Sequence, residues 1–270
     1  MTDHDALLQA VLAAPEDDLP RLVFADFLEE SGHPANAARA QFIRLQIEAE
    51  QVGVLRKEEL LAKAAELRPM FRDEWDLASE ADPALKALRN YIRGFVYRLR
   101  FVLDTFLEIG GKALSLAPIQ DLILFGRPVV DTADHWQQAL RVSGMERLRN
   151  LGVRPVDNSY LRRGGEFLAR RWPPLRESKN FVRLKRLDLS RNALDDEDVV
   201  AFVAAFAETS FGPGLLELDL SINLVTDAGA NTLAAGRGLD NLTLLDLRNN
   251  RLTADGIAML KRRFGERVIV

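Results

Sequence analysis

Three segments near the C-terminal end of the chain repeat one pattern, Leu-x-x-Leu-x-Leu-x-x-Asn, and this repetition constrains the fold more than any other feature. The segments are residues 184–192, 215–223 and 242–250. Apolar residues at helical spacing follow each segment, and every such stretch opens with a residue suited to cap a helix. These caps are Asp195 or Asp196, Thr226 and Thr253. The sequence therefore predicts a strand, a turn and a helix, repeated three times.

A chain of such units buries its leucines by stacking each unit on the next. We expect the repeat asparagines, Asn192, Asn223 and Asn250, to bond backbone groups where the chain leaves each strand. They follow one another after 31 and 27 residues, which leaves room for a full helix. The repeat length and the motifs Asp-Leu-Ser and Thr-Asp-x-Gly resemble those of ribonuclease-inhibitor-like leucine-rich repeats. The resemblance implies an α/β solenoid, with parallel strands on the concave side and helices on the convex side.

Weaker copies of the pattern lie upstream. Residues 119–124 and 148–153 keep the apolar spacing, but Arg127 and Val156 stand where the asparagine would be. The run 95–102 predicts an earlier strand of the same sheet. Val268, Ile269 and Val270 predict a final edge strand that covers the last repeat. The sheet would then hold about six parallel strands.

The first fifty residues predict helices over 2–13, 19–31 and 34–51. The words PRLVFADFLEESG at 20–32 and RAQFIRLQ at 39–46 resemble the repeat-companion domain, which is fused to repeat arrays in planctomycete and myxobacterial proteins. Phe27 and Gln41 depart from the tryptophan and glutamate usual there, and the resemblance implies architecture but no chemistry. The predicted domains are a helical repeat-companion domain at 1–51, a helical connector at 52–92 and the solenoid at 93–270.

Composition excludes several kinds of chemistry. The chain of 270 residues has no cysteine, and its three histidines lie far apart in sequence. We therefore expect no thiol chemistry, metal site, cofactor or enzymatic activity. Acidic residues occupy the positions where a signal peptide would be basic, and the longest apolar run is too short to cross a bilayer. The sequence predicts a cytoplasmic protein with no membrane partner.

The residues between the leucines of each strand are expected to face the concave surface. This register places Asp188, Asp219 and Asp246 in one column, about 5 Å apart. The predicted partner-binding residues are Arg186, Asp188, Ser190, Arg191, Glu217, Asp219, Ser221, Asp246 and Arg248. The functional interpretation is a surface for a protein partner with a basic segment, with the arginines offsetting the repulsion between carboxylates. The alternative is that these aspartates are solvated repeat residues, paired with their neighbours.

A basic segment, 154–191, carries eleven basic and four acidic residues with aromatic residues between them. Arg162, Arg163, Arg170 and Arg171 are its centre. Residues 1–60 carry twelve acidic and five basic residues, so charge is polarised along the chain. From the repeat array, the sequence predicts a non-enzymatic protein–protein interaction module that binds a protein partner through its concave face. Its alternatives are nucleic-acid binding through the basic segment, head-to-tail self-association, and a segment that is merely a solvated helix over core aromatics.

Overall fold

A computed structural model of the chain describes residues 2–71, 90–127, 131–156 and 172–270. The chain divides into two compact units. The N-terminal unit comprises Met1–Leu99 and Lys112–Gln120, and the C-terminal unit comprises Arg100–Gly111 and Asp121–Val270. The basic residues Arg162, Arg163, Arg170 and Arg171 lie outside the described residues.

Helices make up most of the N-terminal unit. They are α1 (Asp3–Ala13), α2 (Leu19–Glu30), α3 (Pro34–Glu50) and α4 (Val54–Leu67), followed by a 3-10 turn at Arg68–Phe71. The first three helices lie within one residue of their predicted bounds. Strand β1 (Asn90–Ile92) pairs antiparallel with β2 (Phe95–Val102), so the predicted helical connector does not extend to its last three residues.

Local chemistry accounts for how these helices begin and pack. Thr2 and Asp5 form a capping box, in which the Thr2 hydroxyl accepts the Asp5 N–H at 3.2 Å and the Asp5 carboxylate accepts the Thr2 N–H at 3.0 Å. The core includes the fully buried Phe24 and Phe95. The Arg39 guanidinium, itself buried, lies 5.1 Å from the Phe95 ring centre.

Strands and helices alternate in the C-terminal unit. Strands β3 (Asp121–Gly126), β4 (Asn150–Pro155), β5 (Arg186–Asp188), β6 (Glu217–Asp219), β7 (Leu244–Asp246) and β8 (Val268–Ile269) pair in parallel in chain order. The helices are α5 (Leu103–Leu116, which continues into the N-terminal unit), α6 (Ala133–Leu140), α7 (Trp172–Glu177), α8 (Asp196–Phe206), α9 (Asp227–Ala235) and α10 (Ala254–Phe264). The described residues thus confirm the α/β repeat fold, including strands at both degenerate repeats and at the chain end.

One leucine column forms the centre of this fold. Leu187, Leu218 and Leu245 are register partners on neighbouring strands, and each is at most 1% exposed. Val268 of β8 continues the column. The stacking of leucines between successive repeats is confirmed, and it fixes which strand positions face the opposite side of the sheet.

Candidate functional site

The three predicted aspartates lie side by side on the sheet. Asp188 is the register partner of Asp219, and Asp219 of Asp246. Their side chains are only 9%, 14% and 7% exposed, respectively. Each follows a buried leucine, so it projects to the face opposite the leucine column. The carboxylates form a column that is largely buried.

Each aspartate fixes the turn that follows its own strand. The Oδ1 atoms of Asp188, Asp219 and Asp246 accept the backbone N–H two residues ahead, in every case at 3.0 Å. This is the local side-chain-to-backbone bond that aspartate makes at turns. The predicted site residues Ser190, Ser221 and Arg248 supply these N–H groups. The Ser221 hydroxyl also donates to Asp219, at 2.7 Å.

Arginine side chains pair with all three carboxylates. Arg248 Nη2 lies 2.6 Å from Asp246, and Arg186 Nη2 lies 3.5 Å from Asp219. Arg186 also pairs with Glu217, at 3.2 Å. Burial would raise the pKa of Asp246, but the bonds from the Arg248 side chain and backbone outweigh it, so this pKa lies below its ordinary value.

The partner of Asp188 is Arg154, whose Nε and Nη2 both donate to that carboxylate. Sequence reasoning placed Arg154 in the basic segment but not in this column. The signal was available, because aligning Leu151 with Leu187 places Arg154 on the same face as Asp188. Arg191 was expected to offset the carboxylates, yet its exposed side chain forms no ion pair within the described residues.

We call these paired residues the charged face: Arg154, Arg186, Asp188, Glu217, Asp219, Asp246 and Arg248. The most exposed side chains of the charged face are two arginines and a glutamate, not the aspartates. Arg248 is 57% exposed, Arg186 41% and Glu217 40%. The half-buried Leu244 and the 38% exposed Ile269 adjoin the charged face, as register partners of Glu217 and Asp246.

The repeat asparagines form a ladder behind the strands. Asn223 Oδ1 accepts the N–H groups of Asn192 and Leu194, at 2.9 and 3.0 Å. Its Nδ2 donates to the carbonyls of Leu189 and Leu220, at 3.1 and 2.8 Å. The Asn192 amide donates to the carbonyl of Ser190 in its own repeat and to that of Val153 in the preceding one. Asn250 accepts the Val225 N–H and donates to the carbonyls of Leu220 and Leu247. The asparagines thus satisfy buried backbone groups both within a repeat and in its neighbour.

A second ladder connects the helix starts, and sequence reasoning missed it. Asp196 accepts the N–H groups of Thr226 and Gly229 at 2.8 and 3.0 Å, and the Thr226 hydroxyl at 2.5 Å. Asp227 repeats this with Thr253, whose bonds hold the pKa of Asp227 below its ordinary value. A Cβ on Gly229 would lie 2.5 Å from the Asp196 carboxylate, so glycine is needed there. The Thr-Asp-x-Gly motif in the sequence could have indicated this ladder.

The described ranges contain no group of three or more His, Cys, Asp or Glu placed to hold a metal ion. None of the helices within those ranges combines the length and apolar character needed to cross a membrane.

Comparisons with known proteins place leucine-rich repeats in this chain. A family profile described as "Leucine Rich repeat" matches residues 184–203 and 240–261. No curated protein matches. A Bacteroides fragilis protein of solved structure is 14% identical over 65% of each chain, with a TM-score of 0.35. An internalin from Listeria monocytogenes is 16% identical over 62% of this chain and 46% of its own, with a TM-score of 0.31. The chain therefore spans less than two thirds of either structure. Leucine-rich repeats are generally protein-binding.

Proposed function

We propose that the protein is a non-enzymatic binding module that holds a protein partner on the charged face. The observation that carries this proposal is the arrangement of this face. Ionic side chains from β4 to β7 are aligned by strand register and fixed by ion pairs, and Arg186, Glu217 and Arg248 remain substantially exposed. Electrostatic complementarity at such a surface supplies specificity.

Rigidity supports the proposal. The aspartates are bonded both to arginines and to turn N–H groups, so these bonds fix the positions of the exposed guanidinium groups. A side chain that is already ordered loses less entropy when a partner binds. The asparagine ladder holds the strands themselves. A preorganised face of this kind suits binding without rearrangement of the backbone.

Photo-crosslinking tests this proposal. A benzophenone amino acid replaces Glu217 on the charged face and, as the control, Lys261, which is exposed on α10. Both proteins are expressed in the source organism and irradiated. We expect protein adducts from position 217 that are absent from position 261. Identical adducts at both positions, or none at position 217, would overturn the proposal.

We further propose that residues 1–51 form a repeat-companion domain and that the protein is cytoplasmic. The positions of the three helices within this range support the domain assignment. Expression of residues 1–51 alone tests it. A cooperative thermal transition is expected, and an unfolded fragment would place the domain boundary later in the chain.

A further inference from the structure

We infer that the segment bound by the charged face is acidic, with apolar residues beside its carboxylates. This inference rests on the proposed function and gives the chemistry of its partner. The column of three aspartates first suggests a basic partner. The structure favours the opposite sign, because the aspartates are only 7 to 14% exposed whereas their arginine partners are 27 to 57% exposed.

The orientation of the ion pairs carries the argument. In the three pairs formed by the aspartates, the carboxylate lies against the turn backbone and the guanidinium is the more exposed partner. The Arg186–Glu217 pair differs, since both side chains are about equally exposed. The aspartate pairs are nearly neutral in total charge but form dipoles whose positive ends face the solvent. An approaching group meets the positive ends first, at the shorter distance, where Coulomb energy is larger. Arg191, exposed at the next turn, adds a positive charge that no described residue pairs.

The arginines also keep donors for a partner. Arg248 uses Nε and Nη2 for Asp246, and Arg186 uses Nη1 and Nη2 for Glu217 and Asp219. Within the described residues, Nη1 of Arg248 and Nε of Arg186 are not engaged. A guanidinium can donate five hydrogen bonds, and carboxylates are its strongest acceptors among protein side chains. Each of these arginines can therefore receive one further carboxylate.

The spacing favours a short segment of protein. Arg186 lies on β5 and Arg248 just beyond β7, so two strand spacings, about 10 Å, separate them across the sheet. Arg248 also lies four residues beyond Leu244, which is level with Arg186 through Glu217, so an extended chain needs more than three residues to reach both arginines. Leu244 and Ile269, the register partners of Glu217 and Asp246, offer apolar contacts. The exposed carboxylate of Glu217, which pairs with Arg186, repels any anion placed directly over it. The separate carboxylates of a peptide can avoid that position, whereas the continuous charge of a phosphate backbone cannot, which disfavours nucleic acid.

A random 12-residue peptide library displayed on phage tests the inference on the full chain. Selection runs in parallel on the wild type, on Arg186→Gln with Arg248→Gln, and on the control Lys261→Gln with Arg262→Gln, both exposed on α10. We expect peptides that bind the wild type and the control, lose at least tenfold in enrichment on the arginine variant, and are rich in Asp, Glu and aliphatic residues. Face-dependent peptides that are neutral or basic would overturn the inference but leave the proposed function intact.

Further measurements test whether the variants fold and whether nucleic acid or a second copy of the chain binds the charged face instead. Circular dichroism must show a folded Arg186→Gln, Arg248→Gln protein. The single change Arg191→Gln, which breaks no described ion pair, is expected to weaken the same peptides about threefold. A selected acidic peptide displaced by oligo-dT, or an Arg186-dependent dimer in light scattering, would overturn the inference in favour of nucleic acid or a second copy. If no peptide depends on the arginines although position 217 yields adducts, the inference fails and the proposed function stands. If position 217 yields no adduct, the proposed function itself fails.

Discussion

The early strands of the C-terminal unit, β3 and β4, differ from the late strands, β5 to β7, in the residues at which the chain leaves the sheet. Strands β3 and β4 pair over six residues, whereas β5 pairs with β6, and β6 with β7, over three. The leucine column runs through both regions, but the asparagine ladder belongs to the late one. Arg127 and Val156 replace asparagine in the early repeats. Leucines therefore stack the strands, and asparagines decide where the chain turns away, by replacing strand hydrogen bonds with side-chain bonds.

Removing an asparagine gives the largest difference between the regions. Asn223→Ala leaves the N–H groups of Asn192 and Leu194 buried without an acceptor, so we expect a loss of about 2 to 6 kcal/mol of unfolding free energy. Asn150→Ala, in the early region, should cost clearly less, since Asn150 is half-buried and its amide donates to the Asp121 carboxylate. Urea unfolding followed by circular dichroism measures both, and equal losses would contradict this distinction.

Removing a leucine should not distinguish the regions. Leu218→Ala in the late region and Leu151→Ala in the early one both empty a position that is 1% exposed in the same column. We expect each to cost about 2 to 5 kcal/mol in the same urea experiment. A Leu151 variant as stable as the wild type would show that the early strands do not share the core.

The helix starts allow a pH test of the late region. Helix α8 caps itself with Asp195 and Asp198, whereas α9 and α10 also bond an aspartate of the preceding helix. Burial raises the pKa of Asp198 to about 6. The folded state therefore binds this proton more tightly, so the stability that protonated Asp198 contributes is lost as pH rises from about 4 to 6. Asp198→Asn should match the wild type at pH 4 and exceed it by about 1 to 2 kcal/mol at pH 8.

Asp227→Asn is the control of opposite sign. The pKa of Asp227 is lowered in the folded state, so its carboxylate contributes stability above pH 4 that is lost in acid. This variant should melt below the wild type at pH 7, and the gap should close as pH falls. Thermal melts across pH 3 to 8 measure both variants. A pH-independent difference for Asp198→Asn would refute the assigned protonation.

The smallest expected effect concerns the residue before each repeat asparagine. Arg191, Ile222 and Asn249 all have a positive φ, 63°, 56° and 57°. A β-branched residue is strained there, whereas asparagine tolerates it. Ile222→Asn should therefore raise the unfolding free energy by about 1 kcal/mol. Ile222→Val keeps the branch and should show no gain, and an equal gain from both changes would contradict the strain argument.

Local pattern was sufficient to predict the repeats, their caps and the first three helices. Stacked leucines and helix caps depend on residues a few positions apart, so periodicity reveals them. It also predicted β2 and the final strand, because alternating or β-branched apolar runs are local too. Strand β1 carries no such run and forms by pairing with β2.

The chemistry of the charged face came from contacts between repeats. Arg154 and Asp188 are 34 residues apart, and Asp196 bonds Thr226 across 30. The sequence indicated an acidic column. Burial of those carboxylates, and the outward position of the arginines, depends on strand register and on turn N–H groups. Whether a charged side chain is exposed or buried depends on the residues that pack around it. The spacing of residues within one repeat does not show which residues these are.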